Sequence, residues 1–239
     1  MGESHMENLA SPMDRVAAPL REQVSSFLRQ AILESEYKPG QRLIERELIS
    51  RLQVSRATIR ESLRELVSEG LVSNIPQKGA VVTSISRSEA QDLYDARIAI
   101  ESLVVARFIE RASDQQIEQL KEAVAKFRKG TENLQPIREL IAMKDDFYDV
   151  LIKGAESPIL SNLLSSLHAR VSRLRAKSMS SPGRGIIAVA EVEALVDAIA
   201  DRDTKRAQRL CATHVKNAAK EGIHAVEKEI REKASDLPG

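Results

Sequence analysis

In the first third of the chain apolar residues recur at helical spacing in three blocks and then at strand spacing in two. From Pro19 to Ser35, with proline near the first turn, Leu20, Val24, Phe27, Leu28, Ala31 and Ile32 share one helical face. Lys38-Pro39-Gly40 turns the chain, and a short helix over residues 45–52 follows, burying Leu48 and Leu52. Gln53 and Val54 lead into the stretch Val54 to Val72, which has both ends marked. Ser55 is placed to cap it, Val54 to staple onto Ile59, and Gly70 to stop it where positive φ costs nothing. Ile59, Leu63, Leu66 and Val67 form its inner stripe, and Arg56, Arg60 and Arg64 form an adjoining one. Two helices joined this tightly are a helix-turn-helix. Residues 71–75 and 80–83 then carry β-branched side chains around Pro76-Gln77-Lys78-Gly79, the pattern of a hairpin, or wing, with a basic tip.

Beyond Ser84 the strand signals vanish and the helical period holds to about Glu232. Ser86-x-x-Glu89 and Ser113-x-x-Gln116 read as capping boxes, Ser157-Pro158 as N-cap and first helical residue, and Gly154 as a C-cap. These signals divide the remainder into six helices, over residues 87–112, 114–129, 135–153, 158–178, 186–201 and 204–232, with Ser180 to Gly185 as the most flexible connection. Short loops between amphipathic helices imply antiparallel packing. The expected fold class is therefore mainly α, an N-terminal winged helix-turn-helix followed by an all-α antiparallel helical bundle. Residues 1–14 read as a tag remnant and disordered arm, 15–84 as the winged unit, and 85–239 as the bundle.

Composition narrows the class without deciding it. The 239 residues are 42% hydrophobic and 30% charged, with few aromatics and no Trp, as in a soluble helix-rich protein. No apolar run has the length of a membrane span, no signal peptide is visible, and one cysteine, Cys211, allows no internal disulfide, so a cytoplasmic location is expected. The net charge is +1, and residues 1–86 balance at eleven basic against eleven acidic. Binding to nucleic acid therefore rests on where the charges sit. On the Val54 to Val72 stretch, Glu61, Glu65 and Glu69 interleave with the arginines, so a plain solvated face competes with a groove-reading one.

The surroundings favour the groove. Pro39-Gly40, Leu43, Glu45, Glu47-Leu48, Val54-Ser55-Arg56, Arg60-Glu61, Leu63, Leu66, Glu69-Gly70-Leu71-Val72 and Gly79 resemble, in order and spacing, the N-terminal domain of the GntR family of bacterial transcription regulators. The resemblance implies that the recognition helix enters a major groove and the wing tip reaches the minor groove. Carried over by position, Arg46 on the second helix, with Ser55, Arg56, Thr58 and Arg60 at the start of the third, would touch bases or phosphates, and Lys78 and Gly79 would form the wing tip. Ala57 departs from the Thr of many members and removes one hydroxyl contact.

The bundle resembles the helical effector domain of the FadR branch of that family. Arg97 and Glu101 match its Arg-x-x-x-Glu, and Asp197-Ala198-Ile199, Asp203, Ala207 and His214-Val215 match its last two helices. Many members of the branch hold a divalent metal through Asp and His four apart on one helix and a His on each of the last two. The matching positions here are Lys144, Tyr148, Val192 and His214, so three of four ligands are substituted and no metal or other cofactor is expected. Lys144 and Tyr148 fall on an inward stripe with Ile137, Leu140, Ile141, Phe147 and Leu151; Arg97 and His214 fall on inward stripes of their own helices. Buried cations need partners. One account is internal pairing, for instance of Arg97 with Glu101. The sharper one is a pocket for an anionic effector lined by Arg97, Lys144, Tyr148 and His214, in which Lys144 supplies the charge that a metal gives to relatives. His168 reads as structural and Cys211 as core filler. Glu221-x-x-His224 is half of a di-iron motif without a second copy.

The functional expectation is a ligand-responsive transcription regulator and not an enzyme. It would bind a pseudo-palindromic double-stranded operator as a homodimer, answer to a small organic acid or other anionic metabolite, and need no membrane. Two rivals differ in testable ways. A metal-dependent bundle enzyme would carry stoichiometric metal, and a non-specific DNA-coating protein would not discriminate operator from random DNA.

Overall fold

The structure is a computed structural model and describes residues 20–34 and 36–235, so the arm and the expected end residues of the first helix, Pro19 and Ser35, lie outside the described residues. Among them the order is α1 (Leu20–Leu33), α2 (Glu45–Leu52), α3 (Arg56–Ser68), β1 (Val72–Ile75), β2 (Gly79–Val82), then α4 (Arg87–Arg111), α5 (Asp114–Glu132), α6 (Ile137–Ala155), α7 (Pro158–Met179), α8 (Arg184–Ala200) and α9 (Thr204–Ser235). This is a winged helix-turn-helix followed by a helical bundle, the expected fold class.

The N-terminal unit closes over one apolar core drawn from Val24, Leu28, Ile32, Leu43, Leu48, Ile59, Leu63, Leu66, Leu71 and Val82. Leu20 and Phe27, expected on the inner face of α1, are 54% and 39% exposed; Ser25 is buried instead, because the face of α1 that meets α3 is rotated toward it. Phe27 lies under the Arg51 guanidinium, 5.6 Å from its ring centroid. β1 and β2 pair antiparallel with Val72 opposite Val82. The segment before α2 adds a third rung to the wing, through Leu43 N–H to Ala80 O at 2.8 Å and Val82 N–H to Gln41 O at 2.9 Å.

In the bundle α4 runs antiparallel to α9, as Arg87 meets Glu227 near one end and the Ser102 carbonyl meets Gln208 further along. Ser113 and Gln116 form a complete capping box, whereas Ser86 caps the Glu89 N–H while the Glu89 carboxylate turns away to Arg170. Gly154 is not the C-cap. It lies inside α6, and Glu156 takes the left-handed position with φ 49°. Its role is close approach, since a Cβ there would sit 2.4 Å from the Phe108 ring. The Ser180 to Gly185 connection is shorter than expected, because α8 already begins at Arg184.

The two units touch where α3 ends. Gly70, at φ +72°, lets the Leu71 N–H reach back to the Leu66 carbonyl at 3.0 Å, and a Cβ on Gly70 would lie 3.2 Å from Cα of Arg170 on α7. The end of the recognition helix therefore abuts the backbone of a bundle helix.

Candidate functional site

Two sets of side chains carry the chemistry, one outside the N-terminal unit and one inside the bundle. Outside, Ser55 has extended backbone (φ −67°, ψ 154°) and accepts from the Thr58 N–H at 3.1 Å, while the two hydroxyls lie 2.8 Å apart. Two of the expected DNA contacts thus also build the helix start. Arg46, Arg56, Arg60, Lys78 and Gly79 are exposed. Arg60 reaches back to α2, its Nε donating to both Glu45 oxygens at 3.1 and 3.0 Å, which fixes the stem of the side chain and couples the two helices. Behind this face, Arg29 of α1 grips Glu69 through Nε at 2.7 Å and Nη2 at 2.5 Å, fastening the far end of α3.

Inside the bundle, helical period brings Arg97 and Glu101 of α4, Lys144 and Tyr148 of α6, and His214 of α9 into the interior, all buried. They belong to two hubs. Glu101 accepts from Arg97 Nε at 2.7 Å and Tyr148 Oη at 2.9 Å, and lies 3.1 Å from His168 Nε2. Burial alone would raise the Glu101 carboxyl, but Arg97 and His168 hold it well below the usual carboxylate range. The second hub is Glu191 on α8. One of its oxygens meets both His214 Nδ1 at 2.6 Å and Arg184 Nη2 at 2.8 Å, and the other accepts from Asn217 at 2.6 Å. With Nδ1 toward a carboxylate, His214 presents Nε2 to Lys144 Nζ at 3.3 Å.

Lys144 is the member without a carboxylate. Arg97 is paired with Glu101, Arg175 with Asp145 at 2.6 Å and Arg184 with Glu191, whereas Lys144 has the His214 ring. Burial, then the neighbouring Arg175, Arg97 and Arg184, push the Lys144 ammonium down to about 7, only partly opposed by Glu101. Burial and Lys144 likewise bring His214 down to about 4. Little free space remains here: the cavity lined by Glu101, Tyr148, His214 and Cys211 measures about 10 Å³. A larger cleft of about 250 Å³ adjoins it, lined by Tyr148, His168 and Arg175 on one side and Arg29, Glu69 and Leu71 on the other.

The structure thus buries all four expected effector residues in the bundle, Arg97 and Tyr148 at the Glu101 hub and Lys144 and His214 at the Glu191 hub, and it shows the internal pair Arg97 with Glu101 as well. Sequence reasoning read His168 as structural only; it is half-buried against the Tyr148 ring with centroids 4.5 Å apart, and Arg184, Glu191 and Arg175 were missed altogether. The inward period on α7 could have flagged Arg175; Arg184 sat in a Ser/Pro/Gly run that read as loop. Val192 is packed among apolar side chains, and Cys211 is buried. Among the described residues no three His, Cys, Asp or Glu side chains converge as a metal site needs.

The two units match known families in the same order. Residues 20–82 match the description "Bacterial regulatory proteins, gntR family", and residues 92–217, more than half of the chain, match the FCD domain. This chain is a GntR-family transcription regulator with an FCD domain. It is 26% identical over 218 residues to the HTH-type transcriptional repressor RspR of Escherichia coli, covering 91% of this chain and 93% of that one. It is 24% identical over 200 residues to the HTH-type transcriptional regulator YdhC of Bacillus subtilis, covering 84% and 89%. Among solved structures, McbR/YncC of E. coli shares the fold with a TM-score of 0.68 at 20% identity, over 90% of this chain and 100% of that one. No described helix is long and apolar enough to cross a membrane.

Proposed function

We propose that the protein is a cytoplasmic, ligand-responsive regulator that binds a pseudo-palindromic operator as a homodimer and releases or grips it according to a small anionic metabolite held in the bundle. The observation that carries the ligand half is Lys144, a buried ammonium among three arginines with a histidine ring for its partner. An acid placed against it would restore its charge and satisfy donors that the fold leaves short. Arg97, whose Nη1 has no partner, supplies a further donor in this reading, and Tyr148 and His214 line the same interior. A transition metal fits the same residues badly. Its relatives' carboxylate position carries a cation, and the His214 Nε2 that would ligate it faces that cation at 3.3 Å.

The DNA half rests on the exposed N-terminus of α3, where Arg56 and Arg60 flank the capped first turn, with Arg46 beside them on α2 and Lys78 on the wing. Coupling follows from packing. A cavity of about 10 Å³ is no larger than one water needs, so an effector would bind an expanded arrangement in preference to this one. α7 carries His168 and Arg175 toward the network and Arg170 against Gly70, so its displacement would reach the end of the recognition helix.

Selection of genomic DNA fragments by the purified protein tests this reading. A recurrent two-fold-symmetric sequence bound far above random DNA is expected, and equal binding to all fragments would refute specific recognition.

A further inference from the structure

We infer, resting on the proposal that the interior is an anion site, that its ligand is a short molecule bearing two anionic groups, and that Arg184 binds the second. Arg184 opens α8 and is buried, 5% exposed. Its Nη2 reaches Glu191, yet its Nε and Nη1, both shut off from solvent, have no hydrogen-bond partner. Nor does it have Glu191 to itself: the same oxygen meets His214 Nδ1 and the other takes Asn217. One carboxylate serves three donors.

The far end of the network repeats this shortage. Glu101 is shared by Arg97, Tyr148 and His168, and Arg97 Nη1 is a third buried guanidinium nitrogen without a partner. Lys144 is repelled by arginines of both hubs, Arg97 and Arg184. A single carboxylate against Lys144 and Arg97 leaves Arg184 unanswered, because the His214 and Glu191 side chains are interposed, with successive contacts of 3.3, 2.6 and 2.8 Å from Lys144 to Arg184. A second carboxylate would accept a charge-assisted hydrogen bond from one of the unpartnered Arg184 nitrogens. Arg175 is not the second prong: its Nη2 pairs with Asp145 at 2.6 Å and, unlike Arg184, it has no buried nitrogen left without a partner.

The test is calorimetric titration of the full chain with malonate, succinate and glutarate against propionate, butyrate and valerate, at ionic strength matched with chloride. At least one diacid should bind tighter than the monoacid of the same length by about tenfold or more. Arg184→Met should erase that preference while still binding monoacids, no more weakly than wild type, since it removes a charge that repels Lys144. Should Arg184→Met fail to fold, as circular dichroism would show, Arg184→Lys replaces it, with the preference reduced, and the wild-type series decides by itself. Equal binding of diacids and monoacids, or a preference that survives in Arg184→Met, overturns the second prong. Monoacid binding that Lys144→Met abolishes, without any diacid preference, leaves the anion reading standing and removes this inference alone. If no acid of either class binds, both fall.

Discussion

Among the described residues of the N-terminal unit the buried polar ones are two serines, Ser25 and Ser62, and the arginines stand outside; in the bundle Arg97, Glu101, Lys144, Arg173, Arg175, Arg184 and His214 are all buried. One unit is an ordinary apolar core with a charged skin, the other an apolar shell around charge. The first can meet a polyanion such as DNA with no rearrangement of its core. The second keeps cations where desolvation is costly, so a small molecule that completes their pairing changes the stability of the interior itself. In the proposed function, recognition of DNA is thus read off a surface, and response to a ligand off an imbalance.

The sharpest way to break that contrast is to remove one carboxylate from each unit. Glu101→Ala leaves Arg97 buried and unpaired and should destabilise the protein by about 3–5 kcal/mol in urea denaturation. Glu69→Ala removes a half-exposed partner of Arg29 and should cost about 1 kcal/mol or less. Similar losses from both would show that the interior charge is better solvated than its burial implies.

Next in size is operator affinity. Arg56→Ala should weaken operator binding by about 1–3 kcal/mol, with folding stability unchanged to within about 0.5 kcal/mol. Arg60→Ala should weaken it too and also release Glu45. Unchanged affinity in both variants would remove α3 from the groove.

A pH series sharpens the contrast from inside. His168 and His214 are both near 4 against an ordinary 6.5, in each case chiefly through burial. Glu101, Arg97, Arg175 and Tyr148 face the first; Lys144, Glu191 and Arg184 face the second. Between those values the unfolded chain takes up protons that the folded chain refuses, so melting temperature should fall as pH drops from 7 to 5. His168→Gln should flatten that slope. A melting temperature that rises on acidification would mean the histidines are charged in the fold. The smallest effect belongs to the wing, where Lys78→Ala should weaken all sequences alike and lower the slope of log affinity against log salt by about 1. A changed site preference with the slope intact would make Lys78 a base reader.

The N-terminal unit was legible because its signals are local: Ser55 caps α3, Gly70 ends it, and β-branched residues flank a turn. The bundle helices were legible from Ser86, Ser113 and Ser157 for the same reason. Periodicity also placed Lys144, Tyr148, Arg97 and His214 inside. It does not say which inward residues meet, and the hub at Glu101 joins positions 47 and 67 residues away. Gly154 illustrates the limit from the other side. A glycine near a helix end reads as a cap, and only the Phe108 ring packed against it reveals a close contact between helices.

The most direct test of ligand control through the bundle uses one substitution and two readouts. Operator selection with wild type and Lys144→Met, each with and without a panel of acidic metabolites, compares DNA binding and effector response in the same experiment. Lys144→Met keeps the side-chain length and removes the charge, so it should fold, recover the same operator as wild type, and ignore the acid that shifts wild type. A Lys144→Met protein that answers that acid as wild type does would contradict the account.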